Sequence, residues 1–269
     1  MMGKREVFMG ILDKFRKKKP AEPPKEEVSP GGSAIYRYQE PAPVYHPPER
    51  QGVYAEAVTA HFEKLFPGRK SFVFHEILSD LVHIDVYILE PTAEADYYVL
   101  YTTGMSDRPM TLPEELSDRE SLKYAELYLF LPGDWQLGER SSLDSELPYG
   151  SYWPIQMLKF LARFPHEYHT WLGWGHTIPN GPDYTPICDG VGFGGAVLTW
   201  SGGDLGHVET EDGHDVMLYG LVPAYKEEIE YKLKYGMEGL DQRFREGELP
   251  MVLDIHRPNL CEGFTETFD

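Results

Sequence analysis

Two short stretches hold the side chains best suited to acid–base or nucleophilic chemistry. His83 and Asp85 are two residues apart, so on a strand they leave the same face as a recognition pair, a titratable pair or a satisfied polar cluster. Ser106 lies in Thr102-Thr103-Gly104-Met105-Ser106-Asp107, and a serine becomes a nucleophile when a base is held against it. A nucleophile elbow needs glycine two residues after the serine, but Arg108 stands there. Hydrolase chemistry therefore requires His83 to reach Ser106 in space. The plainer alternative is that Thr103, Ser106 and Asp107 hydrogen-bond within a loop.

Two other groupings invite chemical readings. His166, His169, His176 and Cys188 offer nitrogen and sulfur ligands of the kind zinc takes. No C-x-x-C pair accompanies them and Trp171, Trp174 and Gly175 intervene, so packing is the favoured reading and no metal is assigned. Gly190-Val191-Gly192-Phe193-Gly194-Gly195 has the spacing G-x-G-x-x-G. Phosphate binding by such a loop requires a helix directly after it. Ala196-Val197-Leu198-Thr199-Trp200 reads as strand instead, which points to a tight or bulged strand and to no cofactor.

The elements that must position these residues follow from periodicity. Val82, Ile84, Val86 and Ile88 alternate with His83, Asp85, Tyr87 and Leu89, the period of a half-buried strand. Residues 97–103 form the next strand and end in the Ser106 loop. Residues 72–77, 123–131, 196–200 and 214–222 are further strands, and 176–195 reads as a structured loop. Helices are expected from Tyr54 to Leu65, from Ile155 until Pro165 ends the pattern, and over residues 226–235, with Gly236 dividing off a last helix to Glu246. This order predicts an α+β fold with a mainly antiparallel or mixed twisted sheet and flanking helices.

Several of these tracts carry a family resemblance. His83-Ile84-Asp85-Val86-Tyr87, then Tyr98-Val99-Leu100-Tyr101-Thr102-Thr103-Gly104-Met105-Ser106, and then Leu131-Pro132-Gly133-Asp134-Trp135 resemble the suppressor of fused domain. Trp153-Pro154-Ile155, Ala162-Arg163 and residues 171–181 extend the resemblance, which covers roughly residues 54–246. It implies a suppressor-of-fused-like fold and a non-catalytic protein-binding module. Animal members help to hold a transcription factor in a complex, and some bacterial members have been proposed as immunity proteins against toxins. For this chain it implies a partner that is a regulatory protein or a toxin domain.

Composition narrows the partner. With 25 basic and 44 acidic residues the net charge is −19, which disfavours nucleic acid and favours a basic protein or peptide. Residues 1–19 hold seven basic and two acidic residues, a local +5 that leaves −24 for the remainder. Residues 1–50 read as a basic amphipathic segment followed by a proline-rich linker or wrapping arm, 51–250 as the domain, and 251–269 as a C-terminal tail. A membrane-peripheral role through residues 1–19 is the third functional reading, after protein binding and hydrolysis. Cys188 and Cys261 suit separate reduced thiols in a cytoplasmic protein. Trp135, Tyr149, Tyr152, Trp153, Trp171 and Trp174, with Asp134 or Asp183 at a rim, would suit peptide recognition if they line a groove, and would otherwise fill the core. His176 belongs to the same set of candidate interaction residues.

Overall fold

The computed structural model describes residues 27–38, 45–137 and 151–265. In chain order the elements are β1 (Glu27–Val28), β2 (Ala34–Ile35), α1 (Ala55–Leu65), β3 (Ser71–Phe74), β4 (Asp85–Leu89), β5 (Tyr97–Thr103) and β6 (Ala125–Pro132). There follow α2 (Trp153–Glu167), β7 (Thr177–Pro179), β8 (Gly195–Thr199), β9 (His207–Glu209), β10 (Asp215–Ala224) and α3 (Lys226–Glu246). Eight strands form one sheet in the order β3-β4-β5-β6-β10-β8-β7, with β9 beside the first residues of β10. β6 and β10 run parallel and the other neighbours antiparallel, so the sheet is mixed and mainly antiparallel.

Both faces of the sheet are covered, which accounts for the near-continuous apolar run of its central strands. Seven of the eight residues of β6 are buried. Leu127, Leu129 and Leu131 point to the α2 side, where Trp153, Ile155, Leu158, Leu161 and Ala162 pack on them. Tyr128 and Phe130 point to the other side. There α1 covers one half of the sheet through Val58 and Phe62, whose ring stacks on Tyr101 at 4.0 Å. Burying one such ring contributes about 2–3 kcal/mol. α3 covers the far half, with Ile229, Met237, Leu240 and Phe244 against Val197 and Ala224.

Several element limits differ from the sequence reading for local reasons. Regular pairing of the strand expected from Val82 begins at Asp85, because Leu81 turns with φ 62° and Val82 only bridges back to Asp80. Pro165 lies inside α2, which runs on to Glu167. A proline in a final turn removes one backbone donor without preventing the last residues from closing on the helix, and Tyr168 N–H donates to Phe164 O. Residues 177–179 of the expected loop add the edge strand β7. The division at Gly236 is a kink, with φ 76° and ψ 175°.

Residues at both ends of the described chain pack on this frame. Gly31 N–H donates to Leu233 O of α3 at 2.9 Å. Tyr38 bonds the Thr170 hydroxyl at 2.6 Å and lies among Phe164 and Tyr168. Towards the C terminus, Leu253 N–H donates to Phe130 O, and Arg257 inserts a buried guanidinium at the start of α3. The expected amphipathic segment at 1–19 and the loop expected at 138–150 lie outside the described residues, as does Tyr149.

Candidate interaction groove and polar clusters

On the face of the sheet that carries α1 and α3, a strip beside α3 is left open. Its floor is Tyr128 and Phe130 of β6 with Gly220 and Val222 of β10, and its walls include Trp200, Phe244 and Met251. The cleft has a volume of about 380 Å³. Gly220 contributes by what it lacks: a Cβ there would meet the Thr199 hydroxyl at 2.8 Å and the Tyr128 hydroxyl at 3.1 Å. Tyr128 instead lies along the strand and bonds Ser201 at 3.1 Å. Trp200 is 47 % exposed, anchored by its indole N–H on Gly206 O at 2.9 Å, and Met251 is 60 % exposed. At the rim Asp241 pairs with Arg245 at 2.7 Å, and Glu248 is solvent-exposed. An apolar floor, a half-open indole and a charged rim suit an extended chain bearing an aliphatic or aromatic anchor and a cation.

None of the described aromatic candidates of the sequence lines this groove. Trp153 is buried, and Trp135 packs edge-on against it at 6.2 Å while donating its indole N–H to Ser151 O. Trp171 is half-buried and meets His176 at 4.4 Å. Trp174 is 45 % exposed, but it does not line the groove. Asp134 is exposed in the turn after β6 and Asp183 in the loop after β7. The sequence pattern marks Trp200 only as the end of a strand. The signal that could have found it is the Trp-Ser-Gly-Gly sequence, which carries an indole out of a sheet into a turn.

The structure gives Ser106 a carboxylate partner in place of the histidine that a hydrolase would need. Ser106 donates its hydroxyl to Glu126 Oε1 at 2.6 Å and its backbone N–H to the same oxygen at 3.0 Å. Thr102 donates to Glu126 Oε2 at 2.6 Å. Burial pushes the Glu126 carboxyl up to about 7, against the pull of these donors. Asp107 accepts from the N–H groups of Gly52 and Val53 at 2.8 and 2.7 Å, tying the approach to α1 to the loop. Thr103 and Ser106 are both buried. The reason the hydrolase reading fails is that β6 places a carboxylate, from a residue counted only as strand, directly under the serine.

His83 lies in a different cluster. Its Nε2 meets Asp85 Oδ1 at 3.1 Å and its Nδ1 meets the Ser79 hydroxyl at 2.6 Å. The second oxygen of Asp85 takes His75 Nδ1 at 2.9 Å. His83 and Asp85 thus share a face as the spacing suggests. His166, His169, His176 and Cys188 do not converge among the described residues. His166 is buried with its Nε2–H on Met105 O at 2.8 Å, and burial holds it down to about 4. Burial lowers His176 to about 4 as well, with the Lys232 charge adding to it. The glycines at 192, 194 and 195 admit close neighbours: added Cβ atoms would lie 2.6 Å from the Tyr225 ring, Tyr184 O and Ile178 O respectively. No helix follows them, since β8 starts at Gly195.

Among the described residues, a mixed sheet clad by one helix on one face and two on the other, with a cleft beside α3, defines an α+β domain of the suppressor of fused class. The chain belongs to the suppressor of fused family: the family model described as Suppressor of fused protein (SUFU) matches residues 80–258. Three solved structures share the fold. A SUFU homologue from Neisseria gonorrhoeae is 18 % identical with a TM-score of 0.55, over 77 % of this chain and 96 % of that one. The protein in a Sufu–Fu complex is 16 % identical with a TM-score of 0.55, over 80 % and 98 %. Drosophila Suppressor of Fused is 16 % identical with a TM-score of 0.56, over 89 % of this chain and 53 % of that one. A comparison with curated proteins gave no match.

Proposed function

We propose that this chain is a non-catalytic protein-binding module that takes a basic, extended segment of a partner into the groove beside α3. The single observation that carries the reading is the groove itself, where Trp200 and Met251 are exposed over an apolar floor beside a rim of Asp241, Arg245 and Glu248. Family membership and a fold shared with a protein crystallised in a Sufu–Fu complex support a protein partner. The net charge of −19 favours a basic one, steering encounter while the apolar anchor sets residence time. Masking of a basic toxin domain or regulatory protein in the cytoplasm fits this chemistry. No helix among the described residues is long and apolar enough to cross a membrane.

Fluorescence anisotropy with labelled basic, neutral and acidic peptides, each bearing one aromatic or aliphatic anchor, tests the groove. Basic peptides should bind saturably and more weakly as salt rises. Trp200→Ala should weaken them by about 2 kcal/mol, the scale of an interface hot spot. Absence of saturable binding by any peptide, or equal binding by Trp200→Ala, would count against the reading.

A further inference from the structure

The loop between β3 and β4 is closed at its base by three side chains that can serve as metal ligands. His75 follows the last residue of β3, Asp85 is the first residue of β4, and His83 stands two residues before it. The pairing Phe74↔Val86 extends to place His75 opposite Asp85. One ligand atom from each of the three, two imidazole nitrogens and a carboxylate oxygen, lies within 4.8 Å of the others. We propose that His75 Nδ1, His83 Nε2 and the Asp85 carboxylate bind one divalent transition-metal ion of the zinc class, which clips the ends of the loop together.

The donor set fits such an ion: two imidazoles and one carboxylate form a borderline site that leaves room for water. The contacts of 2.9 and 3.1 Å between imidazole and carboxylate compare with about 3.3 Å between neighbouring ligands of a tetrahedral zinc ion, so small shifts admit it. The surrounding groups orient the ligands. Ser79 holds His83 Nδ1 at 2.6 Å, and Glu76 N–H donates to Asp85 Oδ1 at 3.0 Å. Metal-binding imidazoles are held in this way through their second nitrogen. Binding takes His75 Nδ1 and His83 Nε2 without their protons, and His83 Nδ1–H is then donated to the Ser79 hydroxyl.

Access is from the His75 side, whose side chain is 68 % exposed against 12 % for Asp85. Two cations stand nearby and oppose a further charge. Arg163 is committed to Glu76, with Nη2 at 2.6 Å from both carboxylate oxygens. Lys159 lies over the Phe74 ring at 4.9 Å. Within the clipped loop Ile77 and Leu78 are 87 % and 84 % exposed, so the ion would fix the base of a protruding apolar tip.

Zinc chloride titrated into the full chain by calorimetry, and cobalt followed by its visible absorption, test the site. One ion per chain is expected. His75→Gln, at an exposed position that the fold tolerates, should weaken binding by about tenfold or more, and Ser79→Ala by about tenfold. His256→Gln, an exposed histidine remote in sequence, should bind as the unmodified chain does. Hydrogen exchange over residues 75–82 should slow with zinc in the unmodified chain and not in His75→Gln. Absence of saturable binding, equal binding by His75→Gln, or binding with unchanged exchange in that loop would overturn the proposal.

Discussion

The Ser106 hydroxyl and the Ser106 backbone N–H converge on one oxygen of Glu126, at 2.6 and 3.0 Å, inside the sheet. The serine is thereby a donor to a buried acid rather than a nucleophile awaiting a base. Thr102 of β5 serves the other oxygen, so the end of β5 and the loop after it are fastened to β6 by three hydrogen bonds to a single side chain.

That arrangement gives a pH signature. Glu126 is raised from 4.5 to about 7 by burial, so the folded state holds its proton more tightly than the unfolded one. The associated stability is complete below about pH 4.5 and lost as pH rises through 7, a change on the order of 3 kcal/mol. Urea unfolding of Glu126→Gln between pH 5 and 8 should lack this loss, so the substitution gains relative stability at the alkaline end. A difference between the two proteins that is constant across the range would contradict the assignment.

His166 acts with the opposite sign. Its imidazole is lowered from 6.5 to about 4, chiefly by burial. Stability from the neutral ring is present above pH 6.5 and lost as pH falls through 4, with about 2 kcal/mol gone by pH 5. His166→Gln can keep the donor to Met105 O and should remove this acid-dependent loss. Unfolding free energies at pH 7.5 and 5 give the comparison, and an unchanged pH slope in the variant would refute it.

Arg257 and Glu228 form a two-pronged ion pair at 2.6 and 2.7 Å, with both side chains almost wholly buried. Pro223 O takes a further N–H of the same guanidinium at 2.9 Å. Arg257→Ala leaves a buried carboxylate without its counter-charge, so a loss of about 3–5 kcal/mol is expected. Arg257→Met with Glu228→Gln should recover part of it. A loss under 1 kcal/mol in the single variant by thermal or urea unfolding would show that the pair does not pin the C-terminal segment.

The parts of the fold legible in the sequence are those set by local periodicity. Val82, Ile84, Val86 and Ile88 are all buried as their alternation requires, and Gly236 divides α3 as its φ of 76° demands. The parallel pairing of β6 with β10 joins residues nearly a hundred apart and leaves no local pattern. The candidate site shows the same division. His83 and Asp85 were legible as a same-face pair, but their partner His75 appears only once the hairpin register is known. Glu126 alternates with Ala125 and Leu127 in a strand pattern, and nothing near it in sequence announces that Ser106 and Thr102 converge on it. Trp200 gained meaning from α3, an element that starts 26 residues later.

The kink at Gly236 has a bearing on the opposite end of the chain. A break in a helix frees carbonyls in the turn before it, and the Leu233 carbonyl is met by Gly31 N–H from the β1–β2 hairpin. Gly31 can come so near because a Cβ there would lie 2.7 Å from Lys234 O. The hairpin thus works as a splint for α3: a chain shortened to begin at Gly52 loses the amide that meets the Leu233 carbonyl, on the helix that borders the groove.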